Sequence, residues 1–125
     1  MADDALTRLV TALSGVAKEI RRIETDALAT LHGRGDDAFY RKRMREKAEV
    51  LQYLPKTMGS FVEQLPLEER EEINYRLDKF SMSASTALKL DSIFYMSALL
   101  YPEDYREGEP NDLERFISEL ERSRE

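Results

Sequence analysis

Apolar residues recur along this chain at alternating steps of three and four positions, which is the spacing of one face of an α-helix. The first such row consists of Leu6, Leu9, Leu13, Val16, Ile20, Ile23 and Ala27. Asp3 or Asp4 is suited to cap the start of this helix, and Gly33 is suited to end it in a left-handed conformation. The pattern therefore predicts a helix over about residues 3–31.

A second row with the same spacing consists of Tyr40, Met44, Lys47, Leu51, Leu54, Met58, Phe61 and Leu65. Asp36 precedes it as a candidate N-cap. Pro55 falls within the row, and a proline inside a helix either kinks or ends it. Because the row keeps its phase across Pro55, we favour one helix over residues 36–64 with a kink, and two separate helices are the alternative.

The third row begins after Pro66 and consists of Ile73, Leu77, Phe80, Ala84, Ala87, Asp91, Phe94, Ala98 and Tyr101. Its seven-residue phase holds until Pro102, so it predicts a single helix over about residues 66–101. From Leu88 onward apolar residues also lie outside this row. A helix that is apolar on most sides is usually buried on several of them.

A polar loop follows, and Asn111 with Glu114 three positions later forms the pattern of a capping box. The apolar stripe after it consists of Leu113, Phe116, Ile117 and Leu120. These features predict a short helix over about residues 111–123. Short connections favour antiparallel neighbours. We therefore expect an all-α fold, in which three long heptad-patterned helices form an up-down antiparallel bundle with a short fourth helix, as one domain over residues 1–125.

The composition adds constraints on the class of protein. The chain has 125 residues, of which 42% are apolar and 35% charged, and it contains no cysteine. Disulfides and thiolate metal sites are therefore excluded. The acidic start lacks the features of a signal peptide, and the longest apolar stretch, residues 93–101, is too short to span a bilayer. We expect a cytoplasmic protein without membrane contact.

Motifs that support catalysis are scarce in the sequence. His32 is the only histidine, and between a helix end and glycines it is more typical of a loop or a C-cap than of an acid–base catalyst. The sequence has no Glu-x-x-His pair for a di-iron site, no phosphate-binding glycine loop and no Gly-x-Ser-x-Gly elbow. We therefore expect no enzymatic activity, metal or cofactor.

Two polar residues interrupt the apolar rows. Asp91 and Lys47 each occupy a position that the row pattern assigns to the core. A buried charge has to be paired, so we favour a buried ion pair between Lys47 and Asp91 that fixes the helix register. The alternatives are that Asp91 faces solvent, or that it contacts a ligand, a metal or a transferred proton in a ligand-binding bundle.

Charge is distributed unevenly along the chain. Residues 1–62 carry 11 Lys and Arg against 9 Asp and Glu, and residues 63–125 carry 8 against 16. A basic run opens the second predicted helix, and its candidate nucleic-acid contacts are Arg34, Arg41, Lys42, Arg43 and Arg45. The pI of about 5.0 argues against a dedicated nucleic-acid-binding protein, so this function is the alternative rather than the favoured one.

The favoured function follows from the surplus of apolar residues near the end of the third predicted helix. Apolar surface that the chain's own helices leave uncovered usually marks an interface. We expect a non-enzymatic interaction or assembly module, such as an adaptor, a small chaperone or a complex subunit, that self-associates, with a dimer favoured. The candidate interface residues are Ile93, Met96, Leu99, Leu100 and Tyr101.

Overall fold

The computed structural model describes residues 4–123, except for the side chain of Arg34, and confirms the all-α class. These residues form six helices and no strand. The helices are α1 (Ala5–Arg34), α2 (Asp37–Gln52), α3 (Leu54–Val62), α4 (Leu67–Lys89), α5 (Ile93–Ala98) and α6 (Asp112–Ser123). None of the helices in this part of the chain combines the length and the apolar character needed to cross a bilayer.

The ends of α1 have local causes. The Asp4 carboxylate accepts a hydrogen bond from the backbone N–H of Thr7 at 2.8 Å, which caps the helix start. Asp3, the other predicted cap, lies outside the described residues. The helix ends at Gly35, whose φ of 65° is left-handed and whose N–H donates to the carbonyl of Leu31. The prediction of Gly33 at this position was wrong, because α1 continues past Gly33 to Arg34 and the left-handed residue is Gly35.

The second predicted helix is two helices. Asp36 caps α2 as predicted, since its carboxylate accepts from the N–H of Phe39 at 3.0 Å. Tyr53 separates α2 from α3, and Pro55 lies in the first turn of α3. Backbone N–H groups in a first turn have no partner within the helix, so proline loses no hydrogen bond there. The prediction of one kinked helix over residues 36–64 is therefore replaced by the alternative of two helices.

The third predicted helix is also interrupted, so the expected single helix over residues 66–101 was wrong. α4 ends at Lys89, and Asp91 then adopts a left-handed φ of 50°. The Ser92 hydroxyl accepts from the N–H of Tyr95 at 3.1 Å and starts α5. A serine that caps a new helix competes with continuation of the old one. Leu100, with a φ of 78°, turns the chain again after α5.

The capping box predicted for the last helix is present. The Asn111 side chain accepts from the N–H of Glu114 at 2.9 Å, and the Glu114 carboxylate accepts from the N–H of Asn111 at 2.8 Å. α6 therefore begins at Asp112, within one residue of the expected start. Its predicted apolar stripe, Leu113, Phe116, Ile117 and Leu120, is buried.

The core lies between α1, the α2 and α3 pair, α4 and α6. α2 contacts both α1 and α4, whereas within residues 4–123 the backbones of α1 and α4 do not approach each other. α6 packs directly against α1 and reaches α4 through side chains. It meets α1 through the ion pair of Arg21 with Glu114, and it meets α4 through the tilted ring contact of Phe80 with Phe116. The short helix α6 thus closes one side of the core.

Candidate functional site

The structure has two candidate functional sites, an exposed apolar surface and a buried polar cluster. The apolar surface lies at the junction of α4 and α5. Phe94 is 74% exposed, Leu90 60% and Tyr95 53%. The rings of Phe94 and Tyr95 contact each other edge to face, with centroids 5.7 Å apart. Exposed apolar side chains are ordinary when they are isolated. Here Tyr95 contacts Phe94 and lines the same groove as Leu90, so we treat the three side chains as one cluster.

A groove of about 550 Å³ lies beside this cluster. Its walls come from the last turns of α4, from α5 and from the segment that follows α5. The lining includes Thr86, Leu90, Tyr95, Ala98, Leu99 and Pro102. We call these residues together with Phe94 the α4–α5 surface. The left-handed turn at Asp91 separates α4 from α5, and residues of both helices line the groove.

The predicted interface residues are placed only partly on this surface. Met96 and Leu100 are buried in the core, whereas Ile93, Leu99 and Tyr101 are half-buried. The large exposed apolar residues of this surface, Leu90, Phe94 and Tyr95, were not among the candidates. The Asp91-Ser92 pair is the sequence signal that could have identified them, since both residue types favour helix ends over helix interiors.

The second place is a buried polar cluster centred on Lys47. This lysine is fully buried, as its position in the row predicted. Its ammonium lies 2.9 Å from Oε2 of Glu24 on α1 and donates to the carbonyl of Ser97 at 3.0 Å. It also lies 4.9 Å from the centre of the Tyr101 ring. The ammonium is therefore held by a carboxylate, a carbonyl and an aromatic face.

Tyr101 connects Lys47 to a second ion pair. Its hydroxyl donates to Oε1 of Glu24 at 2.6 Å and accepts from Arg21 at 3.3 Å. Arg21 in turn binds Glu114 through two nitrogens, at 2.6 and 3.1 Å. A bidentate arrangement of this kind is stronger and more directional than a single contact. The cluster links α1, α2, the segment after α5, and α6.

Burial and pairing shift the pKa values of this cluster. Burial lowers the pKa of Lys47, and the neighbouring Glu24 carboxylate opposes that shift. Burial also raises the pKa of Tyr101, to which the hydrogen bond with Glu24 adds. The hydrogen bond from Arg21 lowers the pKa of Glu114, against the effect of burial. Because each charged group has a partner of opposite sign, the arrangement is typical of a structural network.

A groove of about 340 Å³ adjoins the cluster, with Tyr40, Tyr105, Leu28 and Met44 among its walls. Its charged lining groups are Arg21, Lys47, Glu24 and Glu107. Apart from Glu107, these groups pair with one another or with Glu114. Within residues 4–123, no group of three or more histidine, aspartate or glutamate side chains is placed to hold a metal ion.

The predicted ion pair between Lys47 and Asp91 does not form. Asp91 has 70% of its side chain exposed and pairs with Arg45 at 2.6 Å, so the prediction that it is buried was wrong. The reason is the left-handed turn at Asp91, which removes this residue from the helical row. The alternative that Asp91 faces solvent is the one observed. A ligand-binding core centred on Asp91 has no basis in this geometry.

The basic run at the start of α2 is largely paired with carboxylates. Arg41 binds Asp37 at 2.7 Å, Arg45 binds Asp91, and Arg43 contacts both Asp26 and Glu46. The remaining member, Lys42, is exposed. These pairs reduce the positive charge that the run offers to phosphates. Nucleic-acid contact through this run stays a prediction, as does any part played by Arg34.

The fold and these sites define an all-α protein with an exposed apolar surface and a buried network of ion pairs. No protein-family model matches the chain, and no curated protein or solved structure shows significant similarity to it.

Proposed function

We propose that this protein is a non-enzymatic interaction module that self-associates through the α4–α5 surface. The observation that supports this proposal is the exposure of Leu90, Phe94 and Tyr95 in one cluster beside an apolar groove. Burying one large apolar side chain contributes about 1.5–3 kcal/mol. Three adjacent side chains therefore supply a substantial driving force for association.

A second copy of the chain is the proposed occupant, because the surface presents both a projection and a recess. Phe94 projects beside the groove, and the groove walls include small side chains such as Thr86 and Ala98. In a two-fold dimer each copy offers the same surface to the other. Phe94 of each copy would then enter the groove of the other, and a symmetric dimer is the simplest closed assembly.

The buried cluster supports the non-enzymatic part of the proposal. A catalytic lysine or tyrosine needs access to a substrate atom. Lys47 is instead fully buried among Glu24, Ser97 and Tyr101. Its partners use the same hydrogen-bonding positions that a substrate would need. We therefore assign the cluster to holding α1, α2 and α6 in register.

Sedimentation equilibrium over a wide range of protein concentrations tests the self-association. The double variant Leu90→Gln with Phe94→Gln removes the apolar projection and one groove wall, and we expect a monomer where the parent protein is a dimer. The matched control is Leu67→Gln with Tyr75→Gln, which replaces similarly exposed residues elsewhere on α4 and should leave the dimer intact.

Circular dichroism should show that both double variants keep their helical content, since all four positions are exposed. A parent protein that remains monomeric at high concentration would contradict the proposal. Equal weakening by both double variants would also contradict it, because association would then depend on general surface hydrophobicity rather than on the α4–α5 surface.

A further inference from the structure

The buried cluster around Lys47 and the α4–α5 surface share a segment of the chain. Tyr101 lines both the groove beside α5 and the groove that adjoins the buried cluster. The three residues before it, Ala98, Leu99 and Leu100, line the groove beside α5, and we call residues 98–100 the wall segment. The buried polar network therefore continues directly into one wall of the exposed surface.

Lys47 holds the wall segment at both of its ends. The ammonium donates to the carbonyl of Ser97, directly before the segment, at 3.0 Å. It also lies 4.9 Å from the centre of the ring of Tyr101, directly after the segment. Because Lys47 belongs to α2 and is fully buried, these two contacts tie the wall segment to the core of the protein.

The position of α5 depends on contacts of this kind because the helix is short. It has six residues, and a helix of that length is not stable in water on its own. Left-handed residues bound it on both sides, at Asp91 and Leu100. The side chain of Met96 anchors α5 in the core, but apolar burial is non-directional. The hydrogen bond from Lys47 is directional, so it fixes where the end of α5 lies.

We propose that Lys47 is a positioning residue for self-association, which keeps the wall segment in the place that Phe94 of a second copy requires. The consequence for the dimer rests on the proposed function, whereas the anchoring of α5 by Lys47 is measurable in a monomer. Lys47 itself is too deeply buried to touch a second copy. Without its ammonium, α5 would be in place for only a fraction of the time, and the affinity of the second copy would fall by that fraction.

The double variant Lys47→Met with Glu24→Gln tests the proposal, and we call it the anchor variant. It removes the bond to the Ser97 carbonyl and the cation beside the Tyr101 ring. No unpaired charge stays buried, because the Glu24 carboxylate is removed together with the ammonium. Glutamine at position 24 can still accept from the Tyr101 hydroxyl, which in the parent protein donates to Glu24.

The matched control is the double variant Arg43→Met with Asp26→Asn. Arg43 lies one helical turn before Lys47 on α2, and it pairs with Asp26 on α1 at 3.2 Å. Its other ion-pair partner, Glu46, lies on α2 itself. The control therefore removes an ion pair between the same two helices and keeps the ammonium that binds the end of α5.

Hydrogen exchange followed amide by amide with NMR measures the anchoring, in the monomeric background Leu90→Gln with Phe94→Gln. The amides of Met96, Leu99 and Tyr101 donate within α5 and the turn after it. We expect the anchor variant to lose most of their protection, because a segment without its anchor opens locally. Protection in α1 and α4 should be retained, whereas a general loss of stability would lower it in every helix. The control should keep the protection of α5.

Sedimentation equilibrium of the anchor variant and the control, without the two surface substitutions, measures the consequence for self-association. If α5 is in place for about a tenth of the time, the dissociation constant of the dimer should rise about tenfold in the anchor variant. The control should have a dissociation constant close to that of the parent protein.

Unchanged protection of α5 in the anchor variant would overturn the inference, whatever the oligomeric state. An equal loss of protection in all helices would also overturn it, as would an equal rise of the dissociation constant in the anchor variant and the control. A parent protein that is monomeric would overturn the proposed function and the role of Lys47 in the dimer, and the exchange measurement would still decide whether Lys47 anchors α5.

Discussion

Lys47 on α2 and Glu24 on α1 form an ion pair of 2.9 Å in which the lysine side chain is fully buried. Twenty-three positions separate them in the sequence, so the pair joins two helices that meet only in the folded protein. A buried pair of this kind adds little net stability over apolar residues, because desolvation offsets attraction. Removing one partner of the pair destabilises the protein strongly, however, because the remaining charge stays buried and unpaired.

Replacing Lys47 with methionine should therefore destabilise the protein strongly. We expect a loss of about 3 kcal/mol in the free energy of unfolding, because Glu24 keeps its charge without the ammonium. Urea denaturation followed by circular dichroism measures this change. Adding Glu24→Gln to Lys47→Met should recover part of the loss, since no unpaired charge then remains.

The exposed pair of Arg45 with Asp91 provides the matched control for Lys47. Both pairs join a basic residue of α2 to an acidic residue elsewhere, but Asp91 has 70% of its side chain in solvent. Arg45→Met should cost less than about 1 kcal/mol. Equal effects of Lys47→Met and Arg45→Met would show that burial does not determine the strength of these pairs.

The left-handed turn at Asp91 leads to a second prediction, which distinguishes an interrupted helix from a continuous one. In a continuous helix, Asp91→Ala would stabilise the protein, because alanine is the better helix former. With a φ of 50° at this position, alanine should instead cost about 1 kcal/mol, whereas Asp91→Gly should be more stable than Asp91→Ala. The melting temperatures of Asp91→Ala and Asp91→Gly give the order of their stabilities.

The variant Asp91→Asn supplies the control for the lost contact with Arg45. Asparagine tolerates the left-handed conformation but lacks the negative charge, so this variant reports the ion pair without the backbone effect. We expect its free energy of unfolding to lie within about 0.5 kcal/mol of that of the parent protein. An Asp91→Ala variant more stable than both the glycine and asparagine variants would contradict the interrupted helix.

The row pattern identified the buried side of α1, α2, α3, α4 and α6, but not that of α5, where the row residue Phe94 is exposed and Met96 is buried. It also did not identify the interruptions. Leu54 and Met58 are buried as their row indicated, although α2 and α3 are separate helices. The rows continue across Tyr53 because a break of one residue barely alters the phase. At Asp91 the sequence pattern failed because it reports which positions are apolar, whereas the helix end depends on the competing cap at Ser92.

The buried polar cluster around Lys47 shows a second limit of prediction from the sequence. The row position of Lys47 indicated that it is buried, but the sequence could not select Glu24 as its partner over Asp91. Both carboxylates are consistent with an ion pair, and only the three-dimensional path after Lys89 decides between them. Tyr101 was a candidate interface residue because it lies among the apolar residues at the end of the third row, and that pattern did not indicate that its hydroxyl donates to Glu24.

The ion pair of Arg21 with Glu114 makes a third prediction, which concerns acid. Arg21 lowers the pKa of Glu114 below its ordinary value of 4.5, so the unfolded chain binds a proton at a higher pH than the folded protein does. The contribution of this group is then fully present above pH 4.5 and is lost as the pH falls through the lower, folded pKa. Glu114→Gln removes this dependence and should flatten the loss of stability below pH 4.5.

Glutamine at position 114 can still accept from the N–H of Asn111, so the capping box is retained and the comparison isolates the charge. Urea unfolding at pH 7 and at pH 4 measures the effect in both proteins. The two free energies should lie closer together in the variant than in the parent protein. A control, Glu103→Gln at an exposed position, should leave the acid dependence unchanged. An acid dependence identical in Glu114→Gln and the parent would contradict the assignment.

The hydroxyl of Tyr101 makes the last prediction, since it joins the two ion pairs. Tyr101→Phe keeps the ring beside Lys47 but leaves Oε1 of Glu24 without its donor, and we expect a loss of about 1–3 kcal/mol. The pKa of Tyr101 is raised in the folded protein, so its contribution is fully present below pH 10 and declines as the pH rises through the folded pKa. Unfolding measured at pH 8 should therefore show the full difference between Tyr101→Phe and the parent protein. Tyr53→Phe, an exposed position, should show almost none, and a Tyr101→Phe variant as stable as Tyr53→Phe would mean that the hydroxyl does not hold the network together.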